Sequence, residues 1–219
     1  FFHCLVNAAH QFHRRESNDD RYIIAGYPWF KCRARDTFIS LPGLTLSIEE
    51  DDYFELVMKT AMKGYYEFME GKPVTVHIAE IDQPDVPLWA VWALQQYAKE
   101  KGKEACLKKY GKFIKDVVMY VKCNHHPNLK LMPNGLLYTD GKDKAVTWMN
   151  STANGHPVVP RTGYIVEFNA LWYNALCFCA SLCELAGKEK DQQQFLEAAE
   201  LAKQSFLDTF LNEYGYCPL

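Results

Sequence analysis

Three acidic residues, Asp36, Asp85 and Glu167, stand at the front of apolar stretches of the chain, each with a tryptophan nearby. Carboxylates ringing one opening are what glycoside hydrolysis requires, because one must protonate the leaving oxygen while another activates water or attacks the sugar. Taken singly, Asp36 and Asp85 read equally well as helix N-caps, and Pro87 just after Asp85 suits a first helical turn. Arg35 directly precedes Asp36. Adjacent cation and anion in an aromatic setting can grip neighbouring sugar hydroxyls as donor and acceptor, or form a structural ion pair.

All five tryptophans, Trp29, Trp89, Trp92, Trp148 and Trp172, fall in loops or in apolar stretches. An indole offers a flat apolar face and one donor, which suits the C–H face of a pyranose bordered by hydroxyls. Trp29 and Trp148, in loops, read as such platforms. Trp92 and Trp172, deep in apolar segments, read as core. Cys123, His125 and His126, with His156, invite a metal reading, but their spacing matches no pattern of two separated ligand pairs. They read as polar loop residues, and no metal or cofactor is expected.

The elements that must position these residues come in two kinds. Leu107, Tyr110, Ile114, Val117 and Val121 recur at helical spacing with lysines between them, the pattern of a helix with one buried and one wet face. The same pattern runs through Phe54, Val57, Ala61, Tyr65 and Phe68, through Phe195, Ala199, Ala202, Phe206 and Phe210, and through Phe2, Leu5, Ala9 and Phe12. These predict outer helices. Leu88 to Leu94 and Ala170 to Leu185 are apolar nearly all round, which predicts inner helices buried on every side. Thr37 to Ile48 is a third inner candidate, kinked or broken at Pro42.

Outer and inner helices alternate along the chain, seven in all. Long segments precede the inner helices, near Asn18 to Trp29, Gly71 to Asp85 and Cys123 to Arg161, and short ones follow them. The pattern predicts an all-α fold, an α/α toroid whose long loops converge on one rim, where a site belongs. Short hairpins are expected at Val74 to Ala79, Gly135 to Thr139 and Ala145 to Trp148. Seven helices do not close such a ring, so residues 1–219 are read as one partial barrel. The ending, Asn212 to Leu219, reads as a turn leading onward.

A net charge of -3, with both signs interspersed, leaves no electrostatic footprint for nucleic acid or an anionic membrane. The longest apolar run, Ala170 to Cys183, is shorter than the roughly 18 residues a membrane span needs. The chain opens Phe1-Phe2-His3-Cys4-Leu5 with neither an initiator Met nor a basic leader, so no signal peptide is read. Eight cysteines without scaffold spacing favour a reducing compartment and a cytoplasmic location.

Several stretches resemble one family. Ala25-Gly26-Tyr27-Pro28-Trp29-Phe30 followed by Arg35-Asp36-Thr37-Phe38-Ile39-Ser40-Leu41-Pro42-Gly43-Leu44 is similar to the signature of glycogen debranching enzymes in their amylo-alpha-1,6-glucosidase module. Asp85-Val86-Pro87-Leu88-Trp89, Thr147-Trp148-Met149, Pro160-Arg161 and Val166 through Tyr173 resemble its later elements, in the same order. The resemblance implies an (α/α)6 barrel related to glucoamylases that removes the α-1,6-linked glucose left at a trimmed branch, with inversion. It implies that Arg35 and Asp36 hold the non-reducing glucose, with Trp29, Asp85, Trp89, Trp148 and Arg161 around the substrate. An α-glucan is then the partner, and no cofactor is implied.

The chain departs from the family pattern in three ways. Asn150 stands where the family has the Asp that resembles its general acid, and an amide donates no such proton. Glu167 is expected either to replace that acid or only to bind substrate. Arg33-Ala34 replaces a Trp-Gly pair ahead of Arg35, which removes one aromatic platform. The family's general base lies beyond the equivalent of Leu219, so this stretch alone is expected to be inactive. The competing reading is a glucan-binding relative that kept the grip and lost the acid.

Overall fold

The computed structural model describes residues 1–16 and 19–215. Asn18, at one end of the first expected rim segment, and residues 216–219 of the expected closing turn lie outside them. The chain divides into two compact units, Phe1–Gly102 and Lys103–Leu219.

Unit 1 carries helices α1 (Phe2–Gln11), α2 (Ala34–Leu44), α3 (Asp51–Met69) and α4 (Val86–Lys101), with strands β1 (His13–Arg15) and β2 (Arg21–Ile23). Unit 2 carries α5 (Lys103–Lys122), α6 (Val166–Leu185) and α7 (Glu189–Phe210). Its strands are β3 (Lys130–Leu131), β4 (Leu137–Thr139), β5 (Thr152–Ala153), β6 (His156–Pro157) and β7 (Gly163–Tyr164). Among the described residues the fold is mostly helical, and no helix is long and apolar enough to cross a membrane.

The amphipathic helices bury the faces that their spacing predicts. Phe54, Val57, Ala61 and Tyr65 of α3 are buried, as are Tyr110, Ile114, Val117 and Val121 of α5 and Phe195, Ala199 and Ala202 of α7. In α1 only Ala9 is buried, while Phe2 and Leu5 stand exposed. That helix meets unit 1 through its C-terminal end, where Phe12 takes up the Ala9 carbonyl and Ile24 the Phe12 carbonyl, so its first turns cover nothing.

Of the apolar helices, α4 buries Leu88, Ala90, Val91, Ala93 and Leu94 as expected, with Trp89 and Trp92 half-buried, whereas α6 departs from full burial. In α6, Phe168, Trp172, Ala175, Leu176, Cys179 and Leu182 are buried, but Ala170, Tyr173 and Leu185 are exposed. A helix apolar all round carries no periodicity to say which side is packed. In α2 the helix ends at Leu44, soon after Pro42, whose ring and missing N–H cannot continue the ladder. Thr45 then donates its hydroxyl to the Leu41 carbonyl at 2.5 Å, and a short 3-10 turn follows over Leu46–Ile48.

The expected strand at 135–139 is β4, paired antiparallel with β3 and β7. The other two expected strands are absent. Residues 74–79 form an irregular strap, tied to Glu67 by Thr75 and bridged at Ala79 to Arg33. Residues 145–148 tuck Val146 and Thr147 into the core without pairing. Two hairpins stand where none was expected, β1 with β2 and β5 with β6. The second turns on Asn154 and Gly155, both at positive φ, the conformation that a tight two-residue hairpin demands.

Candidate functional site

In unit 1, packing of α2 against α4 brings Arg35 to Asp85. Arg35 Nε donates to Asp85 Oδ2 at 2.5 Å and a terminal nitrogen donates to Oδ1 at 2.9 Å. The Trp89 indole N–H adds a third bond to Oδ2 at 3.2 Å. Asp85 occupies the N-cap position of α4 but makes no side-chain cap bond, because both its oxygens face the guanidinium. Burial pushes the Asp85 carboxyl up, while Arg35 and the Trp89 indole pull the other way. Trp89 in turn meets Trp92 edge to face at 5.6 Å.

Arg35 therefore pairs with Asp85, not with its neighbour in sequence. Successive residues on a helix point about 100° apart, which separates Arg35 from Asp36. Asp36 sits half-buried in the first turn of α2, and its carboxylate has neither a hydrogen bond nor an ion pair among the described residues. Trp29 stands on a loop closed by the Phe30 N–H bonding the Gly26 carbonyl at 3.0 Å, and its side chain is 80% exposed. The Arg33 guanidinium lies 5.0 Å from the Phe30 ring centre. Arg33 thus sets a cation over the exposed Phe30 ring.

In unit 2, Arg161 grips Glu167 with two nitrogens, one of them bonding Oε2 at 3.0 Å. Both Glu167 oxygens accept from the guanidinium, in the two-pronged geometry that arginine and carboxylate favour. Trp148 and Asn150 are exposed on the loop that follows Val146 and Thr147. That loop is fixed close to Arg161: a Cβ on Gly141 would meet the Arg161 carbonyl at 2.2 Å and the Val146 side chain at 2.9 Å. Glycine is required there because the two strands of chain touch across it.

Asn169 is a positioning residue that spacing alone did not reveal. It is 1% exposed, accepts from the Leu137 N–H at 2.6 Å, and donates to the carbonyls of Leu137 and Ile165 at 3.1 and 3.0 Å. It thereby clamps β4 to the first turn of α6, which carries Glu167. The signal available in the sequence was an amide, one of two with Asn174, in a mostly apolar run, since a buried amide must find partners. Trp172 is core, at 1% exposure. His126 is also buried, and its Nδ1 accepts from the Asn128 N–H at 3.1 Å. Among the described residues, no group of three His, Cys, Asp or Glu side chains gathers to hold a metal ion.

These paired arginines and carboxylates, with their tryptophans, lie on the stretches that carry the family signature, and the sequence profile of amylo-alpha-1,6-glucosidases matches residues 6–217. The chain belongs to the amylo-alpha-1,6-glucosidase family. No individual curated protein matches it. Family membership covers both units, so the Arg35–Asp85 and Arg161–Glu167 pairs both lie inside the glucosidase module. The family is a glycogen-debranching type of glycosidase domain, with a glucan as its general class of substrate.

Proposed function

We propose that the chain is part of a glycoside hydrolase that removes α-1,6-linked glucose at branch points of glycogen-like glucans, with inversion. The observation that carries this reading is the Arg35–Asp85–Trp89 arrangement on the family's signature residues. A guanidinium fixed by a buried carboxylate keeps its remaining N–H groups in one place, which suits recognition of sugar hydroxyls. Asp36, unpaired beside it, supplies an acceptor, and Trp29 and Trp148 supply apolar faces for pyranose rings. On this reading residues 1–219 belong to one (α/α)6 toroid, and the protein works in the cytoplasm.

Inversion needs one acid to protonate the leaving oxygen and one carboxylate to activate water. Asn150 cannot be that acid, and Glu167 meets the role only if substrate draws Arg161 away from one of its oxygens. That pairing favours a second reading, in which the module binds α-glucan ends without cleaving them.

Glucose release from panose or isomaltose by the full-length protein, with calorimetry of the same sugars, separates the two. The hydrolase reading expects Glu167→Gln to abolish release and Asn150→Asp to raise it or leave it intact. Binding with no glucose release from the unaltered protein would refute the hydrolase reading, and turnover untouched by Glu167→Gln would remove Glu167 from the chemistry.

A further inference from the structure

Unit 2 holds a cavity of about 350 Å³ between α5, α6 and α7, apart from every residue assigned above to the glucan. Its wall is apolar, made by Leu107, Ile114, Leu182 and Phe195. Gly111 of α5 also lines it, and a Cβ there would meet the Leu107 side chain at 2.8 Å. A glycine inside a helix weakens it relative to alanine, so α5 gives up helix stability at the cavity wall.

The mouth is cationic. Lys112, Lys115 and Lys188 border it against a single acid, Asp191. Lys112 is taken by Asp116 at 2.5 Å, and Lys115 stands 3.9 Å from Asp191, at the limit of an ion pair. Lys188 is paired with no acid among the described residues. A sugar fits this space poorly, because its hydroxyls would lie unpaired against aliphatic and aromatic walls. A compact polyanion leaves the apolar wall unused. What satisfies both parts is a small molecule with an apolar body and one acidic head.

We propose that this cavity binds an amphipathic monoanion, with an alkyl body along Leu107, Ile114, Leu182 and Phe195 and a carboxylate or sulfate between Lys115 and Lys188. The half-buried Cys183 thiol lies on the wall beside the same charged mouth, so occupancy shields it.

The test uses decanoate and its neutral analogue 1-decanol, titrated by calorimetry into the full chain below micelle-forming concentrations. Decanoate is expected to bind with a dissociation constant under about 1 mM, and decanol about tenfold more weakly. Decanoate is expected to slow alkylation of Cys183, followed by peptide mass mapping, and to leave the exposed Cys123 reacting as before. Lys188→Ala, on an exposed side chain, should weaken decanoate binding about tenfold and leave decanol binding unchanged. Cys183→Phe should fill the space and remove binding of both, with melting used to confirm that it folds; if it does not fold, Lys188→Ala decides. No decanoate binding at about 1 mM, or binding indifferent to Lys188→Ala, overturns the proposal. Shielding of Cys183 that grows with protein concentration in the absence of ligand overturns it too, by showing that a second copy covers the groove.

Discussion

Replacing Asp85 with Asn and, separately, Arg35 with Met removes one partner at a time from a pair whose side chains are only 3% and 6% exposed. The two losses differ in kind. A guanidinium stays charged in proteins, so Asp85→Asn strands a cation in the interior of unit 1. Breaking a buried pair in this way costs about 3 to 5 kcal/mol, a large share of the roughly 5 to 15 kcal/mol that holds a domain together. For a chain of this size that lowers the melting midpoint by about 10 °C. Arg35→Met instead leaves a carboxyl that can take up a proton, and burial already pushes that carboxyl up. A carboxyl whose folded pKa lies above its unfolded value contributes fully below the ordinary value near 3.8 and loses the contribution as pH rises through the folded value. Arg35→Met is therefore expected to be the milder substitution at acidic pH and to worsen toward neutrality, while Asp85→Asn shows no such slope from this site. The double variant Arg35→Met with Asp85→Leu should regain most of the lost stability, since an apolar pair of similar volume carries no desolvation penalty. Urea titrations of the parent, Arg35→Met, Asp85→Leu and their double variant across this pH range measure the cycle, with Asp85→Asn titrated beside them. Equal losses with parallel pH profiles, or a coupling energy within about 0.5 kcal/mol of zero, would refute the reasoning.

Three further outcomes follow. Trp29→Ala removes an exposed side chain, so melting should be unchanged while glucan affinity falls about tenfold, and full affinity would take Trp29 out of the binding surface. Asn169→Ala leaves the Leu137 N–H and carbonyl unpaired in the core, at about 1 to 3 kcal/mol for each such group, and hydrogen exchange at Leu137 should rise sharply. Unaltered protection there would show that β4 is not held by this amide. His13 stacks on Tyr53 at 3.9 Å and donates its Nε2–H to the Leu44 carbonyl at 2.9 Å, and burial, ahead of smaller effects, lowers its pKa from 6.5. A histidine lowered on folding supports the fold above 6.5, and that support is lost as pH falls toward the folded value, so His13→Phe should flatten the acid side of the melting profile. A His13→Phe profile that keeps the parent's slope below 6.5 would exclude His13 as its source.

Helix positions were legible because each amphipathic face repeats four or five times at the same spacing, as from Leu107 to Val121. The loops were less so. Residues 74–79 alternate like a strand, yet the strap finds its partners in a side chain, Glu67, and in one bridge at Ala79, neither of which leaves a mark in local periodicity. The β5–β6 hairpin did carry a signal, Asn154-Gly155, but its strands are two residues each and too short to alternate. Motif residues were recognisable by type and order, whereas their pairing was not. Arg35 lies next to Asp36 in sequence and bonds an acid fifty positions away, because helix packing decides which carboxylate meets which arginine.

That pairing narrows what each acid can do. Both oxygens of Asp85 accept from Arg35, and both oxygens of Glu167 accept from Arg161, so each carboxylate is committed to holding an arginine. A group so committed positions its partner well and transfers a proton poorly, since protonation removes an acceptor that the guanidinium uses. Asp36 carries no such commitment, and Asn150 has no proton of the required acidity. If the family chemistry runs on these residues, substrate must therefore do one of two things. It must displace Arg161 from Glu167, or it must leave Glu167 bound and draw its acid from elsewhere. The first route ties turnover to the strength of the Arg161–Glu167 contact, so Arg161→Lys, which keeps the charge but loses the two-pronged grip, would change the turnover rate more than sugar affinity.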